Sequence, residues 1–187
     1  YYAISNFHRF LSLVFVTNPE RYQGVITYLI PSILCYFPYK LGGEPYLMFS
    51  FRMCSAIFTL TSYLLFIFTF FKQRYQRLLF YGLLILLPYT NVFLMWPRCE
   101  AYQYFFLALF LFLMKKQQWK NIWPFVFLGL SFASRISVAP YILLSLIYFY
   151  VFICKEQKVK KTLQAFGFFI LGFFVGQPHL FFPPNIL

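Results

Sequence analysis

Apolar runs alternate with short polar segments along most of this chain. Six runs are long enough to consider as membrane spans: roughly Tyr46–Phe71, Leu78–Trp96, Cys99–Met114, Trp119–Ser134, Val138–Cys154 and Leu163–Phe182. A helix rises 1.5 Å per residue, so about 20 apolar residues cross a hydrocarbon core. The third and fourth runs sit at the lower limit of that length. The pattern predicts an all-α fold, a polytopic transmembrane helical bundle of about six spans.

The segments between the runs alternate in charge. "KQRYQR" (Lys72–Arg77), "KKQQWK" (Lys115–Lys120) and "KEQKVKK" (Lys155–Lys161) carry ten of the sixteen Lys and Arg residues. The intervening "WPRCE", "SRIS" and "GQPHLFFPPN" are nearly neutral. Cytoplasmic loops are enriched in Lys and Arg, which places the three basic segments in the cytoplasm. Each lies two spans from the next, so the parity is consistent.

That parity decides the reading of "VITYLIPSILCYFPYK" (Val25–Lys40). It is short for a span and carries Pro31 and Pro38, which interrupt helices. We expect an interfacial helix on the outer surface, with "LGGEPY" turning into the first span. The domain plan is then an outer loop with juxtamembrane helices over 1–45 and a transmembrane domain over 46–187. The abrupt start at "YYAISNFHRF" and end at "FFPPNIL" suggest a fragment of a longer protein.

Composition strengthens the membrane reading. Hydrophobic residues make up 61% of the 187 and charged residues 11%. A soluble domain has roughly half and a quarter, and cannot hide 29 Phe and 16 Tyr. The net charge of +12 does not imply nucleic acid, because most of it lies in the topogenic loops. Cys35, Cys54, Cys99 and Cys154 form no C-x-x-C, which argues against metal clusters and redox motifs.

The rare charges then sort by side. Glu20, Glu44 and Glu100 fall on the outer face, as do Arg9, Arg21, Lys40, Arg52, Arg98 and Arg135. The basic loops hold eight of the nine Lys, whereas five of these six outer cations are Arg. Arg grips phosphate at two points, while Lys acts as a solvated point charge. With His8 and His179, the outer face suits an anionic, phosphate-bearing ligand. Snorkelling side chains at helix ends are the simpler reading of any one of them. Arg52 sits about a turn inside its run, where ionisable groups usually mark sites.

Several motifs occur in a suggestive order. "YYAIS" opens the chain, "YLIPSILCYFPYKLGG" approaches the membrane, and Arg52 follows in "LMFSFRMCSAIFTL". "KQRYQR" comes next, then "PRCEAYQYFFLALFLFL" and "GLSFASRISVAPYILL". This order resembles the GT-C type of membrane glycosyltransferase, in the branch of protein O-mannosyltransferases and the lipid A aminoarabinose transferase. The likeness covers most of the chain. It implies a polyprenyl-phosphate-linked sugar as donor and a glycan, lipid or protein acceptor. It also implies a site on the outer or lumenal face of a bacterial inner membrane or the endoplasmic reticulum. The family's first-loop Asp, the expected base, would precede Tyr1 and lies outside this sequence.

On that resemblance Glu100 assists catalysis by binding acceptor or metal, or by orienting the base. Arg52, Arg98 and Arg135 would hold the donor phosphate, with Glu44 and His179 as secondary candidates. Cations or a divalent metal ion would stabilise the departing phosphate. A salt bridge between Glu100 and Arg98 at a helix start is the structural alternative. The alternative function is a non-enzymatic polytopic protein: a transporter or flippase half, or a complex subunit. Pro88, a mid-span break, favours that alternative.

Overall fold

The computed structural model describes residues 26–87, 99–118, 120–134, 139–153 and 158–177. Every regular element among them is helical. In chain order these are α1 (Ile26–Gly42), α2 (Glu44–Phe70), α3 (Arg74–Leu86), α4 (Cys99–Lys116), α5 (Phe125–Ser134), α6 (Ala139–Tyr148) and α7 (Lys158–Gly176). The end of α6 widens into a π-helical turn, Phe149–Ile153.

Among the described residues, two helices are long and apolar enough to cross a bilayer: Phe49–Phe70 within α2, and α7. The six spans expected from the runs are therefore not all matched by full-length helices. The second run yields the 13-residue α3, which gives way to a bend at Leu87. The fourth yields only ten helical residues, because α5 begins after Pro124. The sixth begins earlier than expected, since Lys158–Lys161 are already helical. Arg74–Arg77 likewise open α3 rather than forming a loop.

The segment expected to form an interfacial helix is α1. α1 runs unbroken through Pro31 and Pro38 and packs along α2 as a helical hairpin. Each proline removes one backbone bond, but packing on α2 holds the rod together. The reversal occupies a single residue, Gly43, at φ 72°, where glycine is favoured. A Cβ on Gly42 would lie 2.1 Å from the exposed Tyr46 ring, which would have to swing aside to admit it. Ile30, partly buried, packs against the cluster of Tyr102, Phe106 and Leu130.

Ring contacts fix the helix directions. Phe58 of α2 meets Tyr102 and Phe105 of α4, each with ring centroids 4.8 Å apart. Further along, the Lys115 ammonium donates to the Thr69 carbonyl. The two helices therefore run parallel. α5 returns antiparallel to α4, with Phe125 beside Phe110 and Phe127 beside Phe106. α7 is parallel to α5, since Gly172 faces Val126 and Gly176 faces Ala133.

α5 and α7 pack backbone against backbone. A Cβ on Gly129 would lie 2.1 Å from the Phe169 carbonyl oxygen; one on Gly172, 2.0 Å from that of Val126. Gly129 and Ala133, like Gly172 and Gly176, stand four residues apart on one helix face. Small residues at this spacing let helix backbones touch, which matters where lipid leaves no hydrophobic gain on pairing. Phe110, Phe125 and Phe149 fill the adjoining core edge to face. Each such pair contributes about 0.5–1.5 kcal/mol.

The outside of the bundle is apolar. Phe37, Leu41 and Leu86 are 69%, 70% and 77% exposed, and Leu143, Leu144 and Val175 are likewise open. The inside holds small polar residues: Ser55, Thr59, Ser62 and Thr69 on α2 are all buried. Three of them return their hydroxyls to their own helix, Thr59 to Ser55 O, Ser62 to Thr59 O and Thr69 to Leu65 O. Water-soluble domains show the opposite distribution.

Candidate functional site

The helix directions sort the charges by end. α2 and α4 finish together, so Lys72, Arg74, Lys115 and Lys116 gather at one end. α5 and α7 both start from that end, which adds Lys120 and Lys158–Lys161. The starts of α2 and α4, with Arg52 and Glu100, lie at the other.

Glu100 occupies the first turn of α4 and is half-buried. A carboxylate is favoured there by the positive end of the helix macrodipole. The antiparallel register that pairs Gln103 with Ser131 sets Glu100 level with Ser134. The parallel register with α2 sets it close to the level of Ser55, one turn beyond Arg52. Arg52 itself is exposed.

A buried polar layer lies beside Glu100. Ser131 donates its hydroxyl to the Gln103 carbonyl across α4–α5 at 2.9 Å. Gln177, just past α7, donates its amide to the Ala133 carbonyl at 2.9 Å. Ser134 returns its hydroxyl to Leu130 O at 2.9 Å. Tyr102, Gln103, Ser131, Ser134 and Gln177 are all buried. These residues tie the far ends of α4, α5 and α7 together.

Of the residues expected to form the site, Arg52 and Glu100 come to the same end. Arg98, Arg135 and His179 lie outside the described residues. Glu44 opens α2, at that same end. Among the described residues, no three His, Cys, Asp or Glu side chains gather as a metal site. Cys54 on α2 is half-buried. Sequence reasoning missed Gln103, Ser131 and Gln177. The available signal was a polar side chain at helical spacing inside an apolar run.

No protein-family model, curated protein or solved structure matches the chain.

Proposed function

We propose that this chain is part of a polytopic membrane glycosyltransferase of the GT-C type. The reading rests on the resemblance in motif order and is supported by one structural observation. Glu100, Arg52 and the buried Gln103–Ser131 and Gln177–Ala133 bonds share one end of an apolar-faced bundle, opposite its lysine-rich end. A donor with a lipid tail and a phosphate needs such a site at the membrane boundary, where the tail stays in hydrocarbon and the sugar meets water.

In this reading the basic end faces the cytoplasm and the Glu100 end faces the outer or lumenal side. An acceptor hydroxyl attacks the anomeric carbon, the bond from that carbon to the phosphate oxygen breaks, and polyprenyl phosphate leaves. The hydroxyl proton passes to a carboxylate base from the first outer loop. Glu100 orients that base or the acceptor. Arg52, with Arg98 and Arg135, neutralises charge building on the phosphate. A divalent metal, if used, would share that role.

The test uses the full-length protein, purified and folded, with a labelled polyprenyl-phosphate sugar and acceptors extracted from the same membranes. Consumption of donor with release of polyprenyl phosphate is expected. Intact donor after prolonged incubation with every acceptor fraction would sink the reading.

A further inference from the structure

The lysine-rich end takes no part in that reaction, yet it concentrates most of the chain's charge. Ten of sixteen cations fall in its three segments, against one carboxylate, Glu156. Lys115 and Arg77 are engaged within the bundle. Lys115 donates to Thr69 O, and Arg77 donates from Nε to Phe71 O at 2.8 Å while lying over the Phe68 ring. Lys72, Arg74, Lys116, Lys120, Lys160 and Lys161 are exposed.

Lys115 and Lys116 suit the end of α4, but helix electrostatics oppose the cations at the neighbouring helix starts. α3 and α7 start at this end without an acidic residue in the first turn; Arg74 and Lys158–Lys161 stand there instead. A helix start already carries about half a positive charge, so the cations repel it and one another. An external anion relieves both repulsions. The Thr162 hydroxyl, next to these lysines in sequence, is buried with no hydrogen-bond partner among the described residues.

The apolar neighbours specify which kind of anion. Val159, Leu163 and Phe166 are exposed at i, i+4 and i+7 on α7, a continuous stripe beside the lysines. Phe70, Leu78 and Leu79 flank Lys72 and Arg74 in the same way. A small soluble anion makes no use of these stripes, but a lipid covers them with its chains.

We infer that this end is a binding surface for anionic glycerophospholipids, with headgroup phosphates held by Lys116, Lys120, Lys160 and Lys161 and acyl chains laid along Val159, Leu163 and Phe166. The inference rests on the membrane placement and is independent of glycosyl transfer. Clustered Lys and Arg just outside the hydrocarbon attract anionic headgroups in this manner.

The full chain, purified in neutral detergent, is titrated with phosphatidylglycerol, phosphatidylcholine or inorganic phosphate, and its unfolding temperature is followed. Phosphatidylglycerol should raise Tm by about 5 °C at saturation and leave lipid adducts in native mass spectra. Phosphatidylcholine should do neither. The combined K116Q, K120Q, K160Q and K161Q variant should lose most of the gain, and the matching Arg variant should keep it. Should the Gln variant fail to fold, salt decides on the unaltered protein. The gain should shrink as NaCl rises from about 0.05 M to about 0.5 M. An equal response to phosphatidylcholine, a salt-insensitive gain, or full retention in a folded Gln variant overturns the inference. An equal gain from inorganic phosphate also overturns it, by showing a soluble-anion site.

Discussion

Gly172 passes the Val126 carbonyl so closely that a Cβ on it would lie 2.0 Å from the oxygen. The obstacle is backbone, which cannot swing aside as a side chain would. Gly129 stands in the same relation to Phe169, and Gly176 is crowded by the Ala133 methyl. Gly82 and Gly167, by contrast, have nothing within 4 Å of that position.

Gly172→Ala and Gly129→Ala should therefore destabilise the bundle at or above the upper end of ordinary overpacking, about 3 kcal/mol. Gly167→Ala should be neutral or stabilising by up to about 1 kcal/mol, because alanine is the better helix former. Thermal unfolding in detergent distinguishes the two classes. Equal effects at Gly172 and Gly167 would mean that α5 and α7 do not touch as described.

Removing the two cross-helix hydrogen bonds should have smaller effects. Ser131→Ala deletes the bond to Gln103 O, and Gln177→Leu the bond to Ala133 O. Bonds between helices in membranes average about 0.6 kcal/mol, so each variant should fold with a Tm lowered by only a few degrees. On the proposed reading, Gln177→Leu should still lower transfer, by loosening the end of α5 that lies level with Glu100. Unaltered kinetics in that variant would make the bond purely structural.

Cysteines introduced at Gln76, Gln118 and Gln157, in a protein lacking its native Cys, should resist an impermeant thiol reagent in intact cells. A cysteine at Tyr46 should react. The basis is the shared end of Lys72–Arg77 and Lys115–Lys120, with Tyr46 at the opposite end of α2. External reaction at any of the three Gln sites would invert the bundle and move Glu100 to the cytoplasm.

Glu100→Gln in the full-length protein should preserve abundance while lowering transfer on the order of 10²–10³. Arg52→Gln should raise the KM for the lipid-linked donor more than that for the acceptor. If Glu100 acts only at a half-wet helix start, the change is about 0–1 kcal/mol of stability with turnover near normal. Initial rates at varied donor concentration, normalised to folded protein, separate these outcomes.

The helical class was legible because apolar runs and basic segments carry their own periodicity. Charge alternation anticipated that Lys72 and Lys115 share an end, and the Lys115–Thr69 contact places them there. Helix limits were less legible. Lys158–Lys161 read as a loop by charge, yet straight-chain lysines are good helix formers and begin α7. Pro31 and Pro38 argued against a continuous rod, but the neighbouring α2 outweighs two missing bonds. The glycines show the limit most plainly. Gly167 and Gly172 occupy the same apolar run, and only the path of α5 makes one replaceable and the other not. The four-residue spacing of Gly172 and Gly176 was the one local hint.

The glycine face of α5 has a consequence for biogenesis. It presents bare backbone until α7 covers it. In the proposed bilayer setting, α5 can settle only after the ribosome has delivered Gly172 and Gly176, some forty residues downstream. A nascent chain halted before Lys158 should present α5 to quality-control proteases, so timing of synthesis, as much as hydrophobicity, seats this helix.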